Sequence, residues 1–374
     1  MIARAILQRL TPDPWLLLAV AALVTTGSLM IRTVYVPVSP LPAEWVKQLV
    51  YASVGIAAML VTARLDLGWL RRLAPLLYVG SLVTLVVVLG IGSSEYGARR
   101  WIAVGSAFTV QPSEFAKIAG SLALAAYAAD REPTLRTVLT ALAIAAVPVA
   151  LVLAEPDLGT SLVLLASCVA VLAAWGVSWR ILGGFAALGL AVLPIAFAVA
   201  VPDYQRERLA VFLDPGRDPL GSGFTLRQVE VAFAAGGVTG RGFSGEESAL
   251  LGVAPRSSDF AFAQVSEITG LLGALVVLGC FALIAWRGFQ VAGGAPDRFA
   301  RLLAVGLTST IVLQAAMHVA VNTRLFPATG IPLPFISQGG SALVAVFIAA
   351  GLLQAVAAHR APTATRGAWD ERWS

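Results

Sequence analysis

Ten apolar stretches constrain this chain more than any other feature, because about 20 helical residues cross the roughly 30 Å of hydrocarbon in a bilayer. They start near Trp15, Trp45, Pro75, Phe115, Thr137, Leu158, Trp179, Phe260, Arg301 and Ile336. A backbone in lipid must satisfy its polar groups internally, so the stretches are read as about ten helices, some of them short. Hydrophobic residues make up 58% of the 374 and charged ones 13%, well below the roughly 25% of soluble domains. The expectation is an all-α polytopic membrane protein in which residues 1–374 form one integral membrane domain with no soluble enzyme module. The first stretch follows Arg4 and Arg9 as a signal peptide would. It continues into Ile31-Arg32 without a small-residue cleavage site, and is read as an uncleaved helix.

Basic residues in short loops set the orientation. With the N-terminus in the cytoplasm, Arg64, Arg71, Arg72, Arg131, Arg136, Arg180, Arg287, Arg298, Arg360 and Arg366 all fall inside. The other side keeps only Arg32, Lys47, Arg99, Arg100 and Arg324 in its short loops. An even helix count returns the C-terminus to the cytoplasm, and the one long polar stretch, about 202–259, becomes an extracytoplasmic loop. The net charge of +5 is accounted for mainly by this asymmetry, and no basic stripe with interleaved aromatics marks a nucleic-acid partner. Cys168 and Cys280 each lie inside an apolar run with no second ligand at metal spacing, so they read as small hydrophobes. His318 stands at helical spacing from Gln314 and Asn322, and His359 lies in the tail; neither reads as a catalytic histidine.

Chemistry must then come from polar residues at the outer helix ends. In Gln111-Pro112-Ser113-Glu114-Phe115-Ala116-Lys117 the proline suits a helix start, and Glu114 and Lys117 can pair at i and i+3. That pair reads either as a cap with an ion pair or as functional. Lys117 lies a turn into a membrane helix, where a charge costs roughly 2.5 kcal/mol or more unless partnered. Glu155-Pro156-Asp157-Leu158-Gly159-Thr160 is a tight hairpin whose Asp157 can cap the next helix. Gly330-Ile331-Pro332-Leu333-Pro334-Phe335 with Ser337, Gly339, Gly340 and Ser341 reads as a kinked helix start or a backbone-lined pocket. Asp259, after Ser257-Ser258, has the look of an N-cap, a role compatible with serving as a base.

Taken in order, Arg100-Trp101, Gln111-Pro112-Ser113-Glu114, Glu155-Pro156-Asp157-Leu158-Gly159-Thr160, Phe212-Leu213-Asp214-Pro215, Asp259-Phe260-x-Phe262 and Pro334-Phe335-x-Ser337-x-Gly339-Gly340-Ser341 resemble the SEDS family (shape, elongation, division and sporulation) over nearly the whole chain. Asp218-Pro219-Leu220-Gly221 and Ile331-Pro332-Leu333-Pro334-Phe335 look more like its rod-shape branch than its division branch. The resemblance implies a peptidoglycan glycosyltransferase at the bacterial plasma membrane, polymerising lipid II into glycan strands on the extracytoplasmic face during cell-wall elongation. The implied partner is a class B penicillin-binding protein, alongside lipid II, the nascent strand and membrane lipid. Asp259 matches the family's essential aspartate and would act as base. Lys117, Arg100 and Arg208, or a divalent Mg or Mn ion, would steady the diphosphate; no organic cofactor is implied. Glu114 would hold Lys117, while Asp157 and Ser337 to Ser341 would shape the cleft.

The chain departs from the family pattern at Ser257-Ser258, where His-Thr is usual, and at Glu267-Ile268, where two glutamates are usual. Gly245-Glu246-Glu247-Ser248 and Gln338 are further departures. Two rival readings are a lipid II flippase and a non-catalytic scaffold for the penicillin-binding protein. A carrier would show repeated halves and a polar midplane site, whereas here the charges gather at helix ends.

Overall fold

The computed structural model describes residues 12–35, 43–95, 98–104, 108–187, 203–243, 248, 250 and 256–359. Arg4, Arg9, Gly245-Glu246-Glu247, Arg360 and Arg366 lie outside the described residues. The chain opens with helices α1 (Pro14–Tyr35), α2 (Ala43–Thr62) and α3 (Leu67–Ile91). Short strands β1 (Ser93–Glu95), β2 (Ala98–Val104) and β3 (Phe108–Val110) follow. They form an antiparallel sheet in the order β1-β2-β3, which among the described residues is the one addition to the all-α expectation. Helices α4 (Pro112–Ala129), α5 (Leu135–Ala154) and α6 (Leu158–Trp175) come next, then a helical segment described from 179 to 187.

The polar stretch expected as a loop contains α7 (Asp203–Leu213), a 3-10 turn (Pro215–Arg217), α8 (Ser222–Gly236) and the single turn α9 (Arg256–Asp259). The chain closes with α10 (Ala261–Gly293), α11 (Arg298–Asn322) and α12 (Gly340–Ala358). Eight helices among the described residues, namely α1, α2, α3, α5, α6, α10, α11 and α12, are long and apolar enough to cross a membrane. The two remaining expected crossings correspond to α4, which carries Glu114 and Lys117, and to the segment beginning at 179. This is a multi-pass membrane protein.

Burial sorts the helices. α4, α11 and α12 form the centre, with Leu124, Ala125, Leu303, Ala304 and Ala355 fully inaccessible. An α-helix apolar on every side belongs inside a bundle or in lipid, and α12 is of the first kind. α3 instead turns Leu76, Val79, Val83, Val86 and Ile91 outward, as a lipid-facing helix does. Glycines let α2 and α12 approach closely: a Cβ at Gly55 would collide with the Phe347 ring, and one at Gly351 with the Met59 carbonyl.

The two ends of the bundle carry different chemistry. At one end Asp13 caps α1 and pairs with Arg287 at 3.1 Å from Nε; its backbone N–H and carbonyl are bound by Gln354. Arg298 reaches Glu132 and the Trp175 carbonyl at the same end. The other end gathers the sheet, the start of α4, the α5–α6 turn, α7 to α9, and residues 323–339.

Candidate active site

Asp259 ends the single turn α9, and after a one-residue break the chain enters α10 with Phe260 at the N-cap position and no side-chain cap of its own. The first N–H groups of α10 are satisfied from another helix: Phe262 N–H donates to His318 Nε2 at 3.3 Å and Ala263 N–H to Asn322 Oδ1 at 3.0 Å. The Asp259 carboxyl is therefore not used as a helix cap. It is half-buried, its Oδ1 accepts the Ser258 hydroxyl at 2.8 Å, and its Oδ2 lies against Gly330, which has φ +72°. Burial pushes this carboxyl above the usual aspartate range; the Ser258 bond and the charges of Arg208 and Arg100 pull it back down, and Asp157 pushes it up again.

Arg100, on β2, donates from Nε to the Glu155 carbonyl at 3.1 Å and from Nη2 to the Pro156 carbonyl, and its Nη1 stands 3.9 Å from Asp157. Asp157 caps α6 through the Thr160 N–H at 3.1 Å, and its second oxygen accepts Gln111 Nε2 at 3.1 Å. The Gln111 N–H in turn donates to Ser341 Oγ at 3.1 Å, which ties the start of α4 to the first turn of α12. Glu155 is fully buried, and its two carboxyl oxygens make no hydrogen bond. Burial pushes it up to about 8, with Asp157 adding and Arg100 opposing. Arg208, on α7, donates to the Ala328 carbonyl at 3.3 Å, and Arg324 pairs with Glu230 of α8, so the polar segment is fastened over residues 324–328.

Below this layer Lys117 is 2% exposed, with its ammonium on both Glu114 oxygens at 2.9 Å and on Gln314 Oε1. Gln314 continues to the Pro332 carbonyl at 3.0 Å. Ser337 Oγ accepts the Leu333 N–H at 2.8 Å and donates to the Ser258 carbonyl at 2.7 Å; Gly339 is the N-cap of α12, and Gly340 fits against the Tyr51 ring. Glu267 is held apart from these groups by Arg241 at 3.3 Å and Ser248 at 2.6 Å.

Arg100, Arg208 and Asp157 are thus brought into the electrostatic surroundings of Asp259, while Glu114 and Lys117 sit in the bundle core. The sequence marks Gln111 and Glu155 within their motifs and His318 and Asn322 by their spacing, but gives none of them a place in the site. The i, i+4, i+8 spacing of Gln314, His318 and Asn322 was the available signal. Among the described residues no group of three His, Cys, Asp or Glu side chains is placed to hold a metal ion.

The family model described as cell cycle protein FtsW, RodA and SpoVE matches residues 13–361. The chain is 34% identical over 352 residues to the peptidoglycan glycosyltransferase MrdB of Escherichia coli strain K12, covering 93% of this chain and 94% of that protein. It is similar in structure to a chain from a peptidoglycan synthase complex described as coordinating polymerization and crosslinking, with a TM-score of 0.79 and 31% identity over 93% of this chain and 98% of that one. The crystal structure of the rod shape determining protein RodA of Thermus thermophilus superposes with a TM-score of 0.71 and 28% identity, covering 94% and 99% of the two chains.

Proposed function

Because the chain belongs to the FtsW, RodA and SpoVE family of cell cycle proteins, the SEDS family, we propose that it is a peptidoglycan glycosyltransferase that polymerises lipid II with Asp259 as its base. One observation carries this reading. The Asp259 carboxyl is left out of helix capping, is half-buried, and is faced by Arg208 and Arg100.

The reaction suits a single carboxylate. The acceptor 4-hydroxyl attacks the donor's anomeric carbon from the face opposite the undecaprenyl diphosphate. Its proton passes to an Asp259 oxygen as the bond from C1 to the diphosphate oxygen breaks, and configuration inverts from α to β. Glycoside hydrolases normally need a second carboxyl because their leaving group is a poor alkoxide. A diphosphate leaves as a stabilised anion once its charge is met, so no protein acid is required. Burial raises the proton affinity of Asp259 toward that of a useful base, and Ser258 and the two arginines oppose that rise.

Arg100 and Arg208 are proposed to meet the diphosphate charge, with Asp157 holding Arg100 in place and the Ser337 to Ser341 entrance shaping the cleft. Lys117, whose three donors are engaged by Glu114 and Gln314, is proposed to hold the helices that frame the cleft. A Mg²⁺ or Mn²⁺ ion would supply further charge neutralisation, taking its ligands mainly from phosphate and water, as Mg²⁺ commonly does. We place the termini in the cytoplasm and Asp259 on the extracytoplasmic side, from the arginine asymmetry of the short loops. The likeness to a chain of a polymerization and crosslinking complex supports a class B penicillin-binding protein as partner, and the RodA likeness supports a role in elongation.

The test reconstitutes the protein with its penicillin-binding partner, labelled lipid II and Mg²⁺ or Mn²⁺. Wild type is expected to make glycan ladders and a folded Asp259→Asn protein none. Equal ladders remove Asp259 as base, and no ladder from either moves the assignment to transport or scaffolding.

A further inference from the structure

The backbone of Asp259 is held as well as its side chain, and by one face of α11. His318 Nδ1 lies 2.7 Å from the Ile331 carbonyl, which can only accept, so Nδ1 carries the proton and Nε2 presents a lone pair. That lone pair receives the Phe262 N–H. One turn on, Asn322 accepts the Ala263 N–H with Oδ1, and its Nδ2 donates to the Asp259 carbonyl and to the His318 carbonyl, at 3.0 and 2.9 Å. Both side chains are 1% exposed. One turn back, Gln314 bonds Lys117 and the Pro332 carbonyl.

We propose that His318 and Asn322 are positioning residues for the glycosyl transfer: as caps supplied in trans to α10, they fix the peptide that carries Asp259 and the 331–332 backbone relative to each other. This rests on the reading of Asp259 as base. A helix lacking a cap of its own frays at its first turn, and here that turn joins directly to the reacting carboxylate. His318 does this with both ring nitrogens and so acts as a fixed-tautomer bridge between the backbone under Gly330 and the backbone of Phe262. Displacement of a catalytic group by about 1 Å from a change outside the chemistry costs on the order of a hundredfold in rate. Substrate contacts are untouched, so the loss falls on kcat.

The experiment measures kcat and KM for lipid II polymerisation by the full chain with its penicillin-binding partner, for wild type, His318→Leu, His318→Gln and Asn322→Leu. Glutamine can donate to the Ile331 carbonyl and accept from Phe262, which leucine cannot. We expect His318→Leu to lower kcat roughly ten- to a hundredfold with KM unchanged, and His318→Gln to recover most of it. Asn322→Leu, close in size, must show the same fall, and it decides the question if His318→Leu does not fold. Wild-type kcat in a folded His318→Leu or Asn322→Leu protein overturns the proposal, as does a glutamine variant as slow as the leucine one. Failure of wild type itself to polymerise overturns the glycosyltransferase reading instead.

Discussion

The Ser337 hydroxyl donates to the Ser258 carbonyl at 2.7 Å while accepting the Leu333 N–H at 2.8 Å, so one buried side chain joins the Pro332-to-Ser341 entrance to the turn that ends in Asp259. Ser337→Ala leaves a buried donor and a buried acceptor without partners, each worth about 1–3 kcal/mol. The variant is expected to unfold at lower temperature in detergent and to polymerise more slowly. Ser337→Thr, which keeps the hydroxyl, should lie closer to wild type in both measurements.

The pH profile of the wild-type rate should show an acid limb above the ordinary aspartate range, because burial raises the Asp259 carboxyl and the base works only when ionised. Ser258 donates to the ionised form and so lowers that limb. Removing it in Ser258→Ala takes away a bond that favours the ionised carboxyl, which moves the limb to higher pH. The measurement is kcat against pH for both proteins. An unmoved limb separates the Ser258 bond from the chemistry.

Lys117→Met leaves Glu114 buried and without its cation, and breaking a buried pair in this way costs about 3–5 kcal/mol. The double variant Glu114→Gln with Lys117→Met removes both charges and should recover much of that stability in thermal unfolding. If the pair serves to hold α4 against α11, polymerisation recovers with it. Recovery of stability without activity would return Lys117 to the diphosphate.

The spans were legible because hydrophobicity needs no partner to be read: Leu-rich and Val-rich runs mark α3, α5 and α12 by length alone. The site ends were legible as interruptions, since Gln111-Pro112 and Pro156-Asp157 punctuate those runs. The polar stretch hid α7 and α8, whose apolar positions are interleaved with charged and polar residues and do not stand out beside membrane helices. Asp259 looked like an N-cap because the chain before it has capping residues; that the caps come from His318 and Asn322, some sixty positions later, is a tertiary fact with only a four-residue spacing as its local trace. Glu155 read as part of a hairpin because sequence shows an acid and not its missing hydrogen bonds.

That carboxyl makes stability depend on pH. Glu155 is raised from 4.5 to about 8 in the folded protein, so between those values the folded state keeps a proton that the unfolded state has lost. The contribution is fully present below about 4.5 and is lost as pH rises through about 8, hence stability falls across this window. Glu155→Gln carries no such proton. Unfolding followed from pH 5 to 9 should show a shallower decline for the variant and a higher melting temperature than wild type at the alkaline end. Parallel curves would mean that Glu155 is ionised in the folded protein.

The bend in α10 has its own requirement. Gly270 holds φ +68°, which breaks the helix ladder. Residues 237–242 fill the gap: Arg241 and Gly242 N–H donate to the Glu267 and Ile268 carbonyls, while Leu271 and Leu272 N–H donate to the Gly237 and Val238 carbonyls. A Cβ at Gly270 would stand 2.4 Å from the Gly240 nitrogen and from the Val238 carbonyl oxygen, and these are backbone atoms with no freedom to swing away. Gly270→Ala therefore combines an unfavourable φ with a collision, and is expected to cost at least about 1–3 kcal/mol. It should also free Arg241 from Glu267 by pushing the 237–242 segment off the helix. Protease sensitivity between α8 and α9, compared with wild type, reports that release. An alanine variant with wild-type resistance and melting temperature would show that α10 can straighten without the segment's help.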